Sequence, residues 1–212
     1  MITEYEAEPI PGLPGLPPKG EHILWQGSPD WRVLARTAFH ARMVGGYFAV
    51  LTGLAAIMAI RSGNVTGLAI TACLGVVVTA LLTGLAWWAS RGTIYTLTNR
   101  RIVLRFGMAL PKCVNLPLAL VQSIDLHAHH DGSGDVSIAI SGRQAIGYMM
   151  LWPHARPWRL ATPEPMLRAV PDAAKIADRL AQACRAVAPE GTTMAVSAAP
   201  ARLTPQPQAA LA

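Results

Sequence analysis

The stretch 68-LAITACLGVVVTALLTGLAWW-88 decides the fold. It carries no charged residue. It reaches the roughly 20 apolar residues that cross the hydrocarbon core of a bilayer. Just before it, 43-MVGGYFAVLTGLAAIMAI-60 is also uncharged, and only 61-RSGNVTG-67 separates the two. A link this short makes the pair a hairpin. A buried hairpin of a soluble protein is the competing reading; two uncharged runs back to back favour membrane spans. Arg32, Arg36 and Arg42 precede the hairpin, and Arg91, Arg100, Arg101 and Arg105 follow it, with only Arg61 between the spans. The positive-inside rule then puts both chain ends in the cytoplasm and the link outside. Trp87, Trp88 and Arg91 fall at the cytoplasmic interface, where indoles and cationic heads gather. Gly45, Gly46, Gly53, Gly75 and Gly84 would let helices approach closely, which leaves room for a homodimer.

Composition agrees with this reading. Charged residues make up 14% of the 212 residues, against roughly 25% in soluble proteins. The net charge of +6 reads as cytoplasmic-face arginines rather than a nucleic-acid surface. Cys73, Cys113 and Cys184 are too scattered for a disulfide framework or a zinc site. The N-terminus is acidic and proline-rich, unlike a secretory signal. Neither span holds an ionisable residue. That argues against a transporter or lone channel, and against a bacteriochlorophyll held by a histidine inside the bilayer.

After Arg91 the period changes to two. "TIYTLT", "IVLRF" (Ile102, Leu104 and Phe106 on one face), "SIDLHAH", "VSIAI" and "AIGYMMLW" read as short strands, with "NRR", "DGSG" and "SGR" as turns. Asp172 to Val187 has helical period, with Ile176, Leu180, Ala183, Cys184 and Val187 on one stripe. The resulting fold class is α+β: a two-helix transmembrane hairpin plus a small cytoplasmic PH-like antiparallel β domain closed by a C-terminal helix. The expected boundaries are a flexible tail over 1–21, a juxtamembrane segment over 22–42, spans over 43–60 and 68–88, the PH-like domain over 92–188 with its helix over about 172–187, and a disordered tail over 189–212.

"ILWQGSPDW" before the hairpin and "YTLTNRRIVLR" after it resemble bacterial membrane proteins with PH-like domains. The longer strings "EHILWQGSPDWRVLARTAFHARMVGGYF", "YTLTNRRIVLRFGMALPKCVNLPL" and "LWPHARPWRLATPEPMLRAVPDA" resemble the PuhB family of photosynthetic-complex assembly proteins of purple bacteria. The resemblance covers all but the two tails. It implies a non-enzymatic scaffold in the intracytoplasmic photosynthetic membrane. Its partners would be reaction-centre subunits and core light-harvesting antenna polypeptides. No cofactor of its own is implied, and bacteriochlorophyll would be met only indirectly through partners. That family is often drawn with three spans; here Cys113 to Val121 is too short and is broken by Pro117, so two remain. The alternative is a PH-like lipid- or ligand-binding module serving another membrane complex.

Candidate sites are few. No catalytic triad, nucleotide loop or paired catalytic carboxylates can be found. Asp125, His127 and His129 share a strand face, which suits either a metal site or a solvated edge. His40 and His154 could reach pigment or heme near the interface; a polar surface or capping role is the simpler reading. Arg100, Arg101 and Arg105 read as topology-setting charge, with anionic lipid as the competing role. Trp25 is expected to pack under the β domain and Trp31 to meet the membrane interface. The proline-rich strap Leu151 to Asp172 is ordered rather than a spacer on this reading, with Trp152 ending a strand. It presents Trp152, His154, Arg156 and Trp158 as a docking surface, because Trp and Arg are favoured interface anchors.

Overall fold

The computed structural model describes residues 10–107, 112–142, 147–187 and 195–199. Two long helices, α2 (Ala41–Ser62) and α3 (Thr66–Arg91), form the hairpin and run beyond the 43–60 and 68–88 limits at both ends. Gly63 stops α2 at φ 69°, a left-handed conformation that costs glycine little. The Asn64 side chain then accepts from the Thr66 N–H at 2.9 Å and starts α3. Both helices are long and apolar enough to cross a membrane, and only 6% of each apolar window is buried in the protein. The core helix of a soluble protein would bury most of that window. Of the five glycines, Gly75 is where the helices approach most closely: an added Cβ would lie 2.8 Å from Phe48 Cβ. Gly46, Gly53 and Gly84 have no neighbour within 4 Å of an added Cβ.

The β domain is two four-stranded sheets. The first orders β1 (Ile23–Gly27), β2 (Ile94–Thr98), β3 (Arg101–Phe106) and β4 (Lys112–Pro117) in sequence, all antiparallel. In the second, β5 (Val121–Ala128) and β6 (Gly134–Ile140) lie at the centre. Alternation puts Leu97, Ile102, Leu104 and Leu116 on the inner face of the first sheet and Ile124, Val136 and Ile138 on that of the second. Each fully buried aliphatic side chain contributes about 1.5–3 kcal/mol, against about 1 kcal/mol net for a hydrogen bond. Core burial therefore sets the register. The C-terminal helix lies within one residue of its expected start. This helix, α5 (Ala173–Val187), buries the Ile176, Leu180, Ala183 and Cys184 stripe.

Several boundaries differ from the sequence expectation. The 22–42 segment is not merely juxtamembrane: its first part is β1, which pairs with β2 across the whole intervening hairpin (Trp25↔Leu97, Gly27↔Tyr95). Its second part is a short helix, α1 (Trp31–Thr37), capped by Asp30, whose side chain accepts from the Arg32 N–H. The 1–21 tail is packed where it is described: Leu13 is buried, Gln26 donates to the Pro11 carbonyl, and Glu21 pairs with Arg101 at 2.8 Å. "AIGYMMLW" is not a strand over its described part, which is the single turn α4 (Tyr148–Leu151); residues 143–146 lie outside the described residues. The strap hides a strand instead, β7 (Met166–Val170), antiparallel to β6. In the 189–212 tail, β8 (Ala195–Ala199) pairs parallel with β5.

Strand β7 carries an irregularity that joins hairpin to sheets. Its register with β6 shifts between Gly134 and Val136, and Ala169 takes φ 52°, the mark of a bulge. This turns the Ala169 N–H onto Asp135 Oδ1 at 2.8 Å and its carbonyl onto the Asp30 N–H at 2.8 Å. Ala169 itself packs in a cluster with Val33, Leu34, Phe39, Ala86 and Ala89. Arg36 adds an ion pair to Asp131 at 2.7 Å. Removing the acceptor tests this joint. Asp135→Ala leaves the buried Ala169 N–H unpaired and should cost about 1–3 kcal/mol, while Asp135→Asn should keep most of the stability. Urea unfolding of the detergent-solubilised chain, followed by near-UV circular dichroism, reads both.

Candidate docking site

The strap is held by a buried polar relay. His154, expected at the docking surface, is fully buried and cannot touch a partner. Its Nδ1 lies 2.7 Å from Tyr95 Oη and its Nε2 lies 3.2 Å from Thr93 Oγ1. The neighbours assign the tautomer. Tyr95 Oη accepts from the Arg168 N–H at 3.1 Å and so gives its own proton to Nδ1. Nε2–H then donates to Thr93 Oγ1, whose proton goes to the Ala89 carbonyl at 2.8 Å. The relay runs from β7 to the last turns of α3, with every proton placed. Burial lowers the His154 pKa to about 3, helped by the Arg168 charge and opposed by Asp135. The same burial pushes the Tyr95 hydroxyl up. Both groups are neutral at physiological pH, as a relay between neutral groups requires.

Beyond His154 the chain makes a closed excursion. Ala155 bridges Pro165, the Arg156 N–H donates to the Glu164 carbonyl at 2.9 Å, and the Met166 N–H donates to the His154 carbonyl at 2.8 Å. Arg156 pairs with Asp125 at 2.6 Å and Glu164 at 2.9 Å; Arg159 pairs with Glu164 at 3.1 Å. Arg156 is thus a brace as well as a surface group. At the tip Trp158 is 95% exposed with φ 66°, a left-handed conformation that is costly for a bulky residue. It gains no packing in return. Trp152 is half exposed and meets Phe39 edge-on at 5.6 Å between ring centroids. The structure therefore divides the expected docking set: Trp158 and Arg156 face outward together, Trp152 faces the hairpin, and His154 is core.

Trp158 and Arg156 form one wall of a groove of about 1040 Å³, whose other walls include His40, Asp125, His127 and His129. The Asp125, His127 and His129 face does line this groove. Asp125 is turned to Arg156, and His129 Nε2 lies 3.7 Å from Asp135 Oδ2. That carboxylate raises the His129 pKa, against desolvation that lowers it. Among the described residues no three His, Cys, Asp or Glu side chains converge as a metal site would require. His40 sits at the N-cap of α2 with φ 51°, so the groove opens beside the hairpin's foot.

The remaining aromatic candidates sort by position. Trp25 packs partly buried against the core, and Gly27 lies against its ring, where a Cβ would clash. Trp31 is half-buried, with the Arg32 guanidinium 5.0 Å from its ring. Trp87 and Trp88 are exposed on the last turns of α3, and Arg91 lies 4.8 Å over the Trp87 ring.

The family profile of the bacterial PH domain matches residues 42–183. The chain belongs to the bacterial PH domain family. PH-like domains are typically non-catalytic binding modules, which suits a site made of a groove and an exposed indole. A Rhodobacter capsulatus protein described as "Uncharacterized 23.7 kDa protein in puhA 5'region" is 35% identical over 206 residues, covering 94% of this chain and 96% of that protein. No solved structure gives a significant match. In this bacterial PH domain protein, β1, α1 and β8 lie outside the matched range, yet β1 and β8 complete its sheets.

The relay makes stability acid-sensitive. His154 has its pKa depressed in the folded state, so its contribution is complete above the unfolded value near 6.5 and is lost as pH falls toward about 3. Between pH 7 and 5 the wild type should lose about 2 kcal/mol more than His154→Gln does. Chemical denaturation of the two solubilised proteins at both pH values checks this; parallel losses would remove His154 as the cause.

Proposed function

We propose that the protein is a non-enzymatic assembly factor for the photosynthetic reaction centre, or for its complex with the core light-harvesting antenna. It acts as a scaffold at the bacterial inner (intracytoplasmic photosynthetic) membrane. The hairpin spans that membrane twice, with both termini cytoplasmic, following the arginine asymmetry around it. The geometric observation that carries this reading is Trp158: a fully exposed indole, strained in its backbone and held on a loop pinned at its neck. An anchor positioned in advance loses little entropy on docking. The choice of partner rests on the near full-length relative, whose description places it beside puhA, a reaction-centre gene. This is PuhB-like behaviour: a subunit or intermediate is held by contact, and bacteriochlorophyll is met only through that partner. The groove supports a second reading, a PH-like module for a lipid or small ligand serving another complex, because its walls carry polar side chains of both signs, His127, Arg156 and Asp125 among them.

A tagged full-length chain recovered from membranes during pigment synthesis should bring reaction-centre subunits with it. Trp158→Ala should reduce that recovery severalfold with an unchanged unfolding midpoint, since truncating such an anchor typically costs about 2 kcal/mol or more of binding. Arg156→Ala should lower both recovery and stability, because it also removes the brace to Asp125 and Glu164. Retrieval of no reaction-centre or antenna subunit would defeat the assembly reading.

A further inference from the structure

A second exposed apolar surface lies where α4 enters the strap, away from Trp158. In α4, Met149 is 81% exposed and Met150 44%; past the buried Leu151, which ends α4, Trp152 is 42% exposed. Three large apolar side chains in four residues face outward, and the Trp152 ring is fixed edge-on against Phe39. Phe39 is buried among Ala41, Ala86 and Ala89. It therefore marks a level along the hairpin, the first turn of α2 and the last turns of α3. Trp87 and Trp88 lie between Ala86 and Ala89, so the two exposed indoles stand on the same turns of α3 that pack in the Phe39 cluster. Arg91, over the Trp87 ring, ends the same helix with a cationic head. Paired indoles followed by an arginine at the end of an apolar helix are the arrangement of a bilayer interface.

We infer that α4 and Trp152 form a third membrane contact, a monotopic foot that lies in the headgroup layer without crossing the bilayer. This rests on the membrane reading of the hairpin proposed above. The occupant of the patch is the lipid surface, because Trp152 packs on Phe39 at the foot of the two helices that enter it. Methionine and tryptophan suit that layer: both bury apolar surface at shallow depth, and the indole keeps its N–H in a wet region. With two helix ends already fixed, a third contact off their line sets the tilt of the β domain over the bilayer. The direction in which Trp158 points is thereby set as well.

Spin-label depth measurement tests the foot. The full chain, with Cys73→Ala and Cys113→Ala and the buried Cys184 left in place, is reconstituted in nanodiscs of phosphatidylcholine and phosphatidylglycerol. Labels are placed at Met149→Cys, at Val50→Cys within α2, and at Gln182→Cys on the outer face of α5. The Met149 label should be severalfold less accessible to an aqueous nickel relaxant than the Gln182 label, and shallower than the Val50 label by oxygen relaxation. If the Val50 label is in lipid but the Met149 label is as water-accessible as the Gln182 label, the foot is overturned and the membrane hairpin stands. If the Val50 label is in water, the membrane reading fails and the foot with it. If the Met149 label is wet in lipid alone and becomes shielded only when reaction-centre protein is added, the patch is a protein-docking surface and the lipid contact is overturned.

Discussion

The backbone of Ala169 holds the molecule together. Its N–H is taken by Asp135 on β6 and its carbonyl by the N–H of Asp30. Asp30 is the cap of α1, the helix that leads into the hairpin. Both bonds need the left-handed turn at Ala169, which a regular strand would not supply. Around them Val33, Leu34, Phe39, Ala86 and Ala89 close over the methyl group, so the bonds are made in an apolar, water-poor setting where leaving either group unpaired is costly. The result is a stiff joint between two bodies of different character, an apolar helix pair and a water-facing β domain.

Topology reinforces that joint. The hairpin is an insertion between two strands that are neighbours in one sheet, β1 and β2. Its two ends therefore leave and re-enter the same sheet edge. A rotation of the helices relative to the sheets would have to break the Asp30–Ala169 bond and the Arg36–Asp131 pair together. The joint ties the position of the strap to the position of the helices.

The strap owes its shape to charge kept neutral in one place and paired in another. Inside, the Tyr95–His154–Thr93 relay carries no net charge, because burial drives the imidazole toward its neutral form. Outside, Arg156 and Arg159 gather on Glu164 and close the loop that presents Trp158. A loop with as much proline but without these anchors would sample many directions, and docking would then carry the ordering cost.

Much of the architecture could be read from local pattern. Two uncharged runs joined by a seven-residue link specify a hairpin without any tertiary information, because hydrophobic length is a local property. The alternation in "YTLT" and "RIVLRF", the "DGSG" turn and the α5 stripe are local in the same sense. What escaped was everything made by distant partners. Strand β1 looked like a juxtamembrane leader because its partner lies beyond the hairpin. Strand β7 is buried along its whole length and carries Arg168, whose Nη1 donates to the Pro153 carbonyl at 3.0 Å, so it shows neither alternation nor an apolar run. "AIGYMMLW" had strand composition, yet its described part makes a helical turn. His154 shows the limit most plainly. Residue type and neighbours marked it as a surface anchor, whereas its burial follows from Tyr95 and Thr93, each some sixty positions away in the chain. Hydrophobic length and period are written in neighbouring residues; the pairing of buried polar groups is settled only when the folded chain brings remote donors and acceptors within 3 Å or so of each other.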